Sequence, residues 1–288
     1  FKINIGERNM GKIVFLDVDG TLIDYEAKMP ASAGKAVDMA RANGHKVYIC
    51  TGCSKAEILQ RDLCDLDGMI GGNGAYVEDQ GHVVMHQGLS KEDVKNIVDW
   101  CNERHIGFYL EANSGMYCND YMLEQGPETM VKYARGKGAN LEDAKTSAQH
   151  FIDGFIHLQG QDLYRDDVNK ISFILRTYQD HLDSKKDFPH LVANTWGGKG
   201  EVALFGDLGP TGITKRHAIE VLLDYLHADK KDTISFGDAK IDLSMFECCN
   251  YNVAMGNGGP EIKAAADYIT DDVNEDGLYH AFKYLKLI

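Results

Sequence analysis

Two carboxylates follow directly after a short apolar run near the start of the chain. Asp17 and Asp19 come after Ile13–Leu16, a run typical of a buried strand, and the turn-forming pair Gly20-Thr21 comes next. If the strand geometry persists, carboxylates two residues apart point the same way. Two negative charges so close are costly unless a cation lies between them or one is protonated. The stretch therefore indicates a metal-assisted site with a carboxylate nucleophile, although Asp-Gly-Thr is also ordinary turn chemistry.

Other polar residues stand where further buried strands end, or where a helix begins. They are Thr51 and Gly52 after the run Lys46–Cys50, Lys215 at the start of a predicted helix, and Asp238 and Asp242 after the run Thr233–Phe236. A single aspartate at a strand end is more often a cap or turn residue, and a single lysine is usually solvated. In an open parallel sheet, however, ligands bind at the carboxyl ends of the strands. The occurrence of all these residues in one chain favours a shared site over separate turns.

The elements that carry these residues alternate between strand and helix. Apolar residues recur at helical spacing after the first strand, and Ser54 with Glu57 forms a capping box that opens the next helix. The glycine-rich run at residues 71–74 is too irregular for a phosphate-cradling loop and is typical of a turn. Residues 76–85 predict a β-hairpin. Short strands alternating with helices predict an α/β fold with a Rossmann-like parallel sheet.

The pattern changes near residue 87. From 87 to 196, strand-like runs alternate with helices, and no second group of candidate catalytic residues stands out. This stretch predicts a separate α+β domain. The glycines between residues 194 and 200 suit a hinge, and residues 201–205 predict the strand with which the chain returns. We therefore expect residues 10–86 and 197–288 to form one discontinuous domain, into which residues 87–196 are inserted.

The charge balance argues against two classes of partner. The chain has 288 residues, with 30 basic and 44 acidic side chains and a net charge of −14. This field repels nucleic acid and anionic membranes, and no apolar run approaches the ~20 residues that span a bilayer. We see no secretory signal, and we expect Met10 to be the natural start, with residues 1–9 left over from expression and without a role. An anionic substrate would need local attraction by a metal, a lysine or a helix N-terminus.

The cysteine content favours a reducing, cytoplasmic location. There are seven cysteines, which form no even-numbered disulfide framework. Cys50 and Cys53 have C-x-x-C spacing, so a zinc or redox role is one interpretation. A closed zinc site needs four ligands, and the sequence has no second C-x-x-C. Core packing is therefore the better interpretation of most of these thiols.

In combination, these motifs resemble those of the haloacid dehalogenase superfamily of phosphohydrolases. Within it, the chain is most similar to the Cof-type branch, in which a large α/β cap domain is inserted after the second motif. The matching segments are Asp17-Val18-Asp19-Gly20-Thr21 for the first motif, Thr51-Gly52 for the second, Lys215 for the third, Gly237-Asp238-Ala239-Lys240-Ile241-Asp242 for the fourth, and Ala254-Met255-Gly256-Asn257 beyond it. The resemblance covers residues 10–288. In the inserted domain it rests only on the position of the insertion and on its pattern of strands and helices.

The resemblance implies a mechanism for phosphate transfer. Asp17 would attack the substrate phosphorus and form an aspartyl-phosphate, while Asp19 would protonate the leaving oxygen and then activate water. Thr51 would hydrogen-bond the phosphoryl oxygens, and Lys215 would neutralise the developing charge. The substrate-binding residues implied in this way are Thr51, Gly52, Lys215 and Asn257.

The resemblance also implies Mg²⁺ as the cofactor. Asp17, the backbone carbonyl of Asp19, and Asp238 would hold the ion. Asp242 would orient Lys215 or a water of the ion's hydration shell. Magnesium favours few carboxylates together with phosphate oxygens and waters, which agrees with so short a set of ligands.

Three positions depart from the family pattern. Ile241 stands where many relatives have asparagine, Cys53 where an arginine often follows Thr-Gly, and Arg216 where glycine is common. We expect Ile241 to remove one polar contact to the ion's hydration shell, and so to raise the Mg²⁺ concentration that the enzyme needs.

The leading hypothesis is a Mg²⁺-dependent phosphomonoesterase that acts on small phosphorylated metabolites such as sugar phosphates. The cap domain would close over the site, exclude water and select the leaving group. Two alternatives stay open: a phosphotransferase or phosphomutase that passes phosphate to a sugar hydroxyl, and a metabolite-binding protein without catalysis. Neither the physiological substrate nor the oligomeric state follows from the sequence.

Overall fold

The computed structural model describes residues 11–198 and 200–288, so the expectations for residues 1–9 and for a start at Met10 lie outside the described residues. The chain divides into two compact units. Unit 1 contains residues 11–52, 61–85 and 214–288, and unit 2 contains residues 53–60, 86–198 and 200–213. None of the helices within these ranges could span a bilayer.

Strands and helices are distributed over both units. The strands are β1 (Ile13–Leu16), β2 (Lys46–Cys50), β3 (Gly68–Gly71), β4 (Tyr76–Asp79), β5 (His82–His86), β6 (Phe108–Ala112), β7 (Met116–Cys118), β8 (Phe155–His157), β9 (Val168–Ile174), β10 (Leu191–Trp196), β11 (Phe205–Pro210), β12 (Thr233–Gly237), β13 (Tyr251–Ala254) and β14 (Tyr268–Ile269). The helices are α1 (Ala31–Ala42), α2 (Lys55–Ile58), α3 (Lys91–Glu103), α4 (Asp120–Gly136), α5 (Leu141–Asp153), α6 (Tyr178–Asp187), α7 (Lys215–Leu226), α8 (Leu243–Phe246), α9 (Pro260–Ala265) and α10 (Gly277–Tyr284).

Unit 1 is built on one sheet with the strand order β14-β13-β12-β1-β2-β3-β4-β5. The strands from β14 to β3 run parallel, and β4 turns back antiparallel to β3. The neighbouring strands β4 and β5 confirm the predicted hairpin, which turns at Gln80 and Gly81, both with positive φ. The predicted fold class, a parallel α/β core joined to an α+β unit, is confirmed.

The register of the central strands decides which residues share an edge. Leu16, the last residue of β1, pairs with Ile49 on one side and Phe236 on the other. The four residues of β1 are at most 3% exposed, because strands in a parallel sheet are covered on both faces. The residues that follow β1, β2 and β12 therefore emerge side by side at the carboxyl edge of the sheet.

Helix α7 supports this edge on one face of the sheet. Its N-cap residue Thr214 accepts a hydrogen bond from the backbone amide of His217 at 3.1 Å, which fixes where the helix begins. Apolar residues at helical spacing, among them Ile219 and Leu222, pack with Phe15 in one hydrophobic cluster. The cap and the apolar face together position Lys215, the first residue of the helix.

Unit 2 is a six-stranded sheet in the described residues, with the order β10-β11-β9-β6-β7-β8. All neighbouring pairs are antiparallel except β7 with β8. A large hydrophobic cluster packs α3 against this sheet through Val94, Ile97 and Cys101, and Ser90 caps the helix as its sequence predicts. The α+β character expected for the inserted stretch is therefore observed.

The inserted unit ends later in the chain than the sequence predicts, at residue 213 instead of residue 196. Residues 201–205 do not form the returning strand; instead β10 and β11 form an antiparallel hairpin in the sheet of unit 2, and the chain re-enters unit 1 at Thr214. The glycines between them, including Gly197 and Gly198 with positive φ, shape this hairpin's connection rather than a hinge. Residues 53–60 also belong to unit 2.

Candidate active site

Three polar residues follow the central strands of unit 1 at adjacent positions. Asp17 continues β1, and its backbone amide still donates to the carbonyl of Phe236 at 3.0 Å. Thr51 continues β2, and Asp238 continues β12. All three side chains are buried, with 7%, 2% and 6% of their residue surfaces exposed. The shared edge expected from the strand ends is thus present.

Lys215 is the buried cation of this edge. Its Nζ donates hydrogen bonds of 2.7 Å to Oδ1 of Asp17 and to Oδ1 of Asp242. Asp242 is held in turn, because its Oδ2 accepts from the backbone amides of Asp238 and Ala239 at 3.2 and 3.1 Å. Asp242 therefore orients Lys215 against Asp17, and its own oxygens are occupied within the protein.

The electrostatics of the cluster favour an additional cation. Burial, and after it the charge of Asp242, raises the pKa of Asp17 well above its ordinary value, although Lys215 opposes the shift. Burial alone would lower the pKa of Lys215, but the charges of Asp17 and Asp242 outweigh it and raise that pKa. Lys215 is therefore an ammonium at neutral pH. One ammonium stands among three buried carboxyl groups, and a further cation at this place would favour the ionised form of Asp17.

The donor set fits a divalent metal ion. Oxygens of Asp17, Asp238 and Asp242 lie within 4.8 Å of one another. Oδ1 of Asp238 is buried and has no hydrogen-bond partner among the described residues. Burial raises the pKa of Asp238 to about 6, so this oxygen still belongs to a carboxylate at neutral pH. Because Asp242 is occupied by Lys215 and backbone amides, Asp17 and Asp238 are the ligands that remain, which is the kind of sparse carboxylate set that Mg²⁺ takes.

Asp19 differs from Asp17 in its environment. Its side chain is 47% exposed and accepts from Nη1 of Arg61 at 2.6 Å. An exposed carboxylate can exchange protons with substrate and water, whereas Asp17 is enclosed. Arg61 is a residue that sequence reasoning missed, because it lies in the irregular stretch between α2 and β3 without any recognisable motif.

The glycine-rich turn at residues 71–74 joins two parts of the site. The backbone amide of Asn73 donates to the carbonyl of Thr51 at 3.1 Å. A Cβ on Gly74 would lie 2.2 Å from the carbonyl oxygen of Thr214, so only glycine allows this approach. Gly52 packs against the side chain of Asn73. The predicted turn therefore connects the end of β2 with the residue that caps Lys215's helix.

Asn257 is held by hydrogen bonds within unit 1. Its Nδ2 donates to the carbonyl of Gly20 at 2.7 Å and to the hydroxyl of Tyr25 at 3.2 Å. Its Oδ1 accepts from the backbone amide of Val273 at 3.0 Å. Both ends of the amide are therefore bound within unit 1, one of them to the first motif, and substrate binding by Asn257 stays a prediction.

The structure also locates Ile241 and Cys53, two of the residues that depart from the family pattern, together with Cys50. Ile241 is 53% exposed in a short 3₁₀ turn, where its backbone carbonyl accepts from Ser244. Its side chain therefore neither packs in the core nor belongs to the buried cluster. Cys50 is fully buried, and burial raises its pKa far above the ordinary value, which suits core packing. Cys53 is half-buried and belongs to unit 2.

Three known proteins that are similar to this chain are named as phosphatases. Phosphatase YwpJ of Bacillus subtilis is 25% identical over 95% of this chain and 99% of its own length. The 5-amino-6-(5-phospho-D-ribitylamino)uracil phosphatase YwtE of the same organism is 27% identical over 93% of this chain and 95% of its own. The structure of BT4131, a sugar phosphatase of HAD subclass IIB, matches with a TM-score of 0.73 and 25% identity over 96% of this chain and all of that one.

The family assignment rests on the greater part of the chain. A family model for haloacid dehalogenase-like hydrolases matches residues 14–282, a range that includes both units and every residue of the buried cluster. The resemblance noted from the motifs is thereby confirmed. The chain belongs to the haloacid dehalogenase-like hydrolases, as an enzyme of the phosphatase type.

Proposed function

We propose that this enzyme hydrolyses phosphomonoesters of small metabolites, with sugar phosphates as the preferred class, through an aspartyl-phosphate on Asp17 and with Mg²⁺ as cofactor. One observation carries the proposal: the buried carboxylate of Asp17 lies 2.7 Å from the ammonium of Lys215, beside the unpartnered oxygen of Asp238. A carboxylate attacks a phosphate dianion only when their mutual repulsion is cancelled. Lys215 supplies one positive charge at that place, and a cation held by Asp17 and Asp238 would supply the rest.

In the first step, a carboxylate oxygen of Asp17 forms a bond to phosphorus as the bond to the leaving oxygen breaks. The carboxylic acid of Asp19 gives its proton to that leaving oxygen, which departs as an alcohol. Lys215 stabilises the negative charge on the phosphoryl group, and Thr51 donates its hydroxyl hydrogen to a phosphoryl oxygen. The backbone of Thr51 is fixed before the substrate arrives, because its amide donates to the carbonyl of Ile70 at 2.9 Å and its carbonyl accepts from the amide of Asn73 at 3.1 Å.

In the second step, the carboxylate of Asp19 accepts a proton from a water molecule as that water attacks the phosphorus of the aspartyl-phosphate. The bond from phosphorus to the Asp17 oxygen breaks, and inorganic phosphate and free Asp17 are released. With the proton taken from water, Asp19 is a carboxylic acid again, and the enzyme has returned to its starting state. Exposure of the Asp19 side chain agrees with this exchange of protons.

Asp17, Asp238 and the backbone carbonyl of Asp19 are the proposed ligands of Mg²⁺. When bound, the ion supplies the positive charge that balances the excess of buried carboxylates and the incoming phosphate. The orphaned Oδ1 of Asp238 supports this assignment more directly than the residue types alone.

The preferred substrate class rests on two of the similar proteins. YwtE and BT4131 are phosphatases of a phosphoribityl compound and of sugars, by their names. A cytoplasmic location is part of the proposal, because seven cysteines form no even-numbered disulfide framework and favour a reducing environment.

The proposal is tested by measuring phosphate released from a panel of phosphorylated metabolites, with Mg²⁺ and with a chelator. We expect Mg²⁺-dependent release, with sugar phosphates ahead of nucleotides. Phosphate appearing on an added sugar acceptor instead of in solution would identify a phosphotransferase. No turnover of any ester, including p-nitrophenyl phosphate, would leave a non-catalytic binding protein as the function.

A further inference from the structure

A chain of hydrogen bonds in unit 1 ends on the carboxylate of Asp238. The hydroxyl of Tyr25 donates to Oδ2 of Asp238. The same hydroxyl accepts from Nδ2 of Asn257 at 3.2 Å, and Oδ1 of Asn257 accepts from the backbone amide of Val273 at 3.0 Å. Asn257 and Tyr25 each accept on one side and donate on the other, so the direction of every bond is fixed.

The direction of the bonds settles the state of the tyrosine. Because Asn257 has only its NH₂ group to offer on that side, the phenol oxygen must accept there and direct its own hydrogen at Asp238. Tyr25 is therefore a constant donor to Oδ2.

The two oxygens of Asp238 thus differ. Oδ2 is bound by Tyr25, whereas Oδ1 is buried without a partner among the described residues. Gly20 allows this arrangement, since a Cβ there would lie 2.5 Å from Oδ2 of Asp238 and 2.7 Å from the hydroxyl of Tyr25. Fixing one oxygen of a carboxylate fixes the direction of the other.

We propose that Tyr25, held by Asn257, is a positioning residue that aims Oδ1 of Asp238 at the metal ion. The inference rests on the metal site of the proposed function and concerns a residue outside the four motifs. Groups that hydrogen-bond a metal ligand typically change metal affinity by about 10–100-fold when they are removed. The ring of Tyr25 is largely exposed, at 55% for the residue, so loss of the hydroxyl alone should leave the core intact.

The test measures Mn²⁺ binding without substrate, by the electron paramagnetic resonance signal of the free ion. Tyr25→Phe should raise the dissociation constant about tenfold. Tyr48→Phe is the matched control, because Tyr48 also donates to a carboxylate of unit 1, Asp79, at 2.5 Å but lies outside the site. It should change the constant by less than about twofold. Asp238→Asn should abolish this binding and identifies the site that is being titrated.

Each result has one meaning. Unchanged or tighter binding by Tyr25→Phe overturns the positioning role, and so does an equal loss in both tyrosine variants, which would indicate general destabilisation. If wild-type and Asp238→Asn proteins bind Mn²⁺ alike, the metal site of the proposed function fails and this inference falls with it. In activity assays, Tyr25→Phe should need about tenfold more Mg²⁺ for half-maximal rate, with kcat at saturating Mg²⁺ largely kept.

Discussion

The ammonium nitrogen of Lys215 lies 2.7 Å from Oδ1 of Asp242, a carboxylate with no exposed surface. Asp242 also accepts two backbone amides at the end of β12, so it links the sheet to the first residue of α7. The contact between Lys215 and Asp17 is therefore set by the fold and does not depend on substrate. Stability and catalysis therefore depend on the same groups.

Lys215→Met should remove activity and also destabilise the protein. Methionine has a similar length but no charge, so Asp17 and Asp242 lose the cation that they share. Removing one partner of a buried ion pair typically costs about 3–5 kcal/mol. We expect the free energy of unfolding, measured with urea, to fall by that amount, and phosphate release to fall below detection.

The double variant Lys215→Met with Asp242→Asn is the control for this prediction. It removes one of the two stranded charges, so much of the lost stability should return while activity stays absent. If the double variant were as unstable as the single one, the ion pair would not be the cause of the loss.

Asp17→Asn should abolish turnover and leave the fold at least as stable. An amide is not a nucleophile, but it occupies the same volume, and it removes one of several buried carboxylates that repel one another. We expect at least about a hundredfold loss of phosphate release and an unchanged or higher melting temperature. The exposed Asp62→Asn exchange is the control and should change neither quantity. Retention of more than about a hundredth of the rate would exclude Asp17 as the nucleophile.

The sequence predicts the strand-end residues because their signals are local. Ile13–Leu16 is apolar throughout and Asp17 follows immediately, so the strand and its carboxylate are read together. Tyr25 has no such signal, since its partner Asp238 lies 213 residues away and only the sheet order brings them together. Asn257 stands after a strand as expected, yet its partners Gly20 and Val273 could not be read from its position.

The predicted C-terminal boundary of the inserted unit is wrong for a similar reason. Glycines near residues 197–200 suit a hinge and a hairpin connection equally, because both need positive φ. The pairing of β11 with β9 decides in favour of the hairpin, and that pairing depends on residues far apart in the chain. Local sequence does not contain this information.

Gly74→Ala should reduce activity and stability more than its backbone strain alone explains. The new Cβ would lie 2.2 Å from the carbonyl oxygen of Thr214, so the start of α7 and with it Lys215 must shift. Gly81→Ala is the matched control, because Gly81 also has positive φ but nothing lies within 4 Å of its Cβ position. We expect a loss of about 1–2 kcal/mol for Gly81→Ala with normal kcat. Gly74→Ala should lose more stability, and its kcat should fall at least about tenfold. Equal effects would show that the contact with Thr214 is unimportant.

Glu111 should give unit 2 a stability that falls as the pH rises. The residue is only 2% exposed, and burial raises its pKa from 4.5 to about 8, although Lys170 opposes the shift. The Lys170 ammonium also interacts electrostatically with the carboxylates of Glu57 and Asp207, so its charge does not compensate Glu111 alone. Between pH 4.5 and about 8 the folded protein holds a proton on Glu111 that the unfolded chain has released. The native state binds more protons there, so this contribution to the free energy of unfolding decreases with rising pH.

The Glu111→Gln variant measures that contribution. Glutamine has nearly the same shape as glutamate but does not titrate. From pH 5 to 8 the free energy of unfolding of the wild type should therefore fall, relative to that of the variant, by up to about 1.4 kcal/mol per pH unit. Above pH 8 the difference should level off, because Glu111 is then ionised in both states. Glu128→Gln, an exposed exchange next to Lys132, is the control and should run nearly parallel to the wild type over this range. Urea titrations at several pH values give all three curves, and parallel curves for wild type and Glu111→Gln would show that Glu111 is ionised in the folded protein.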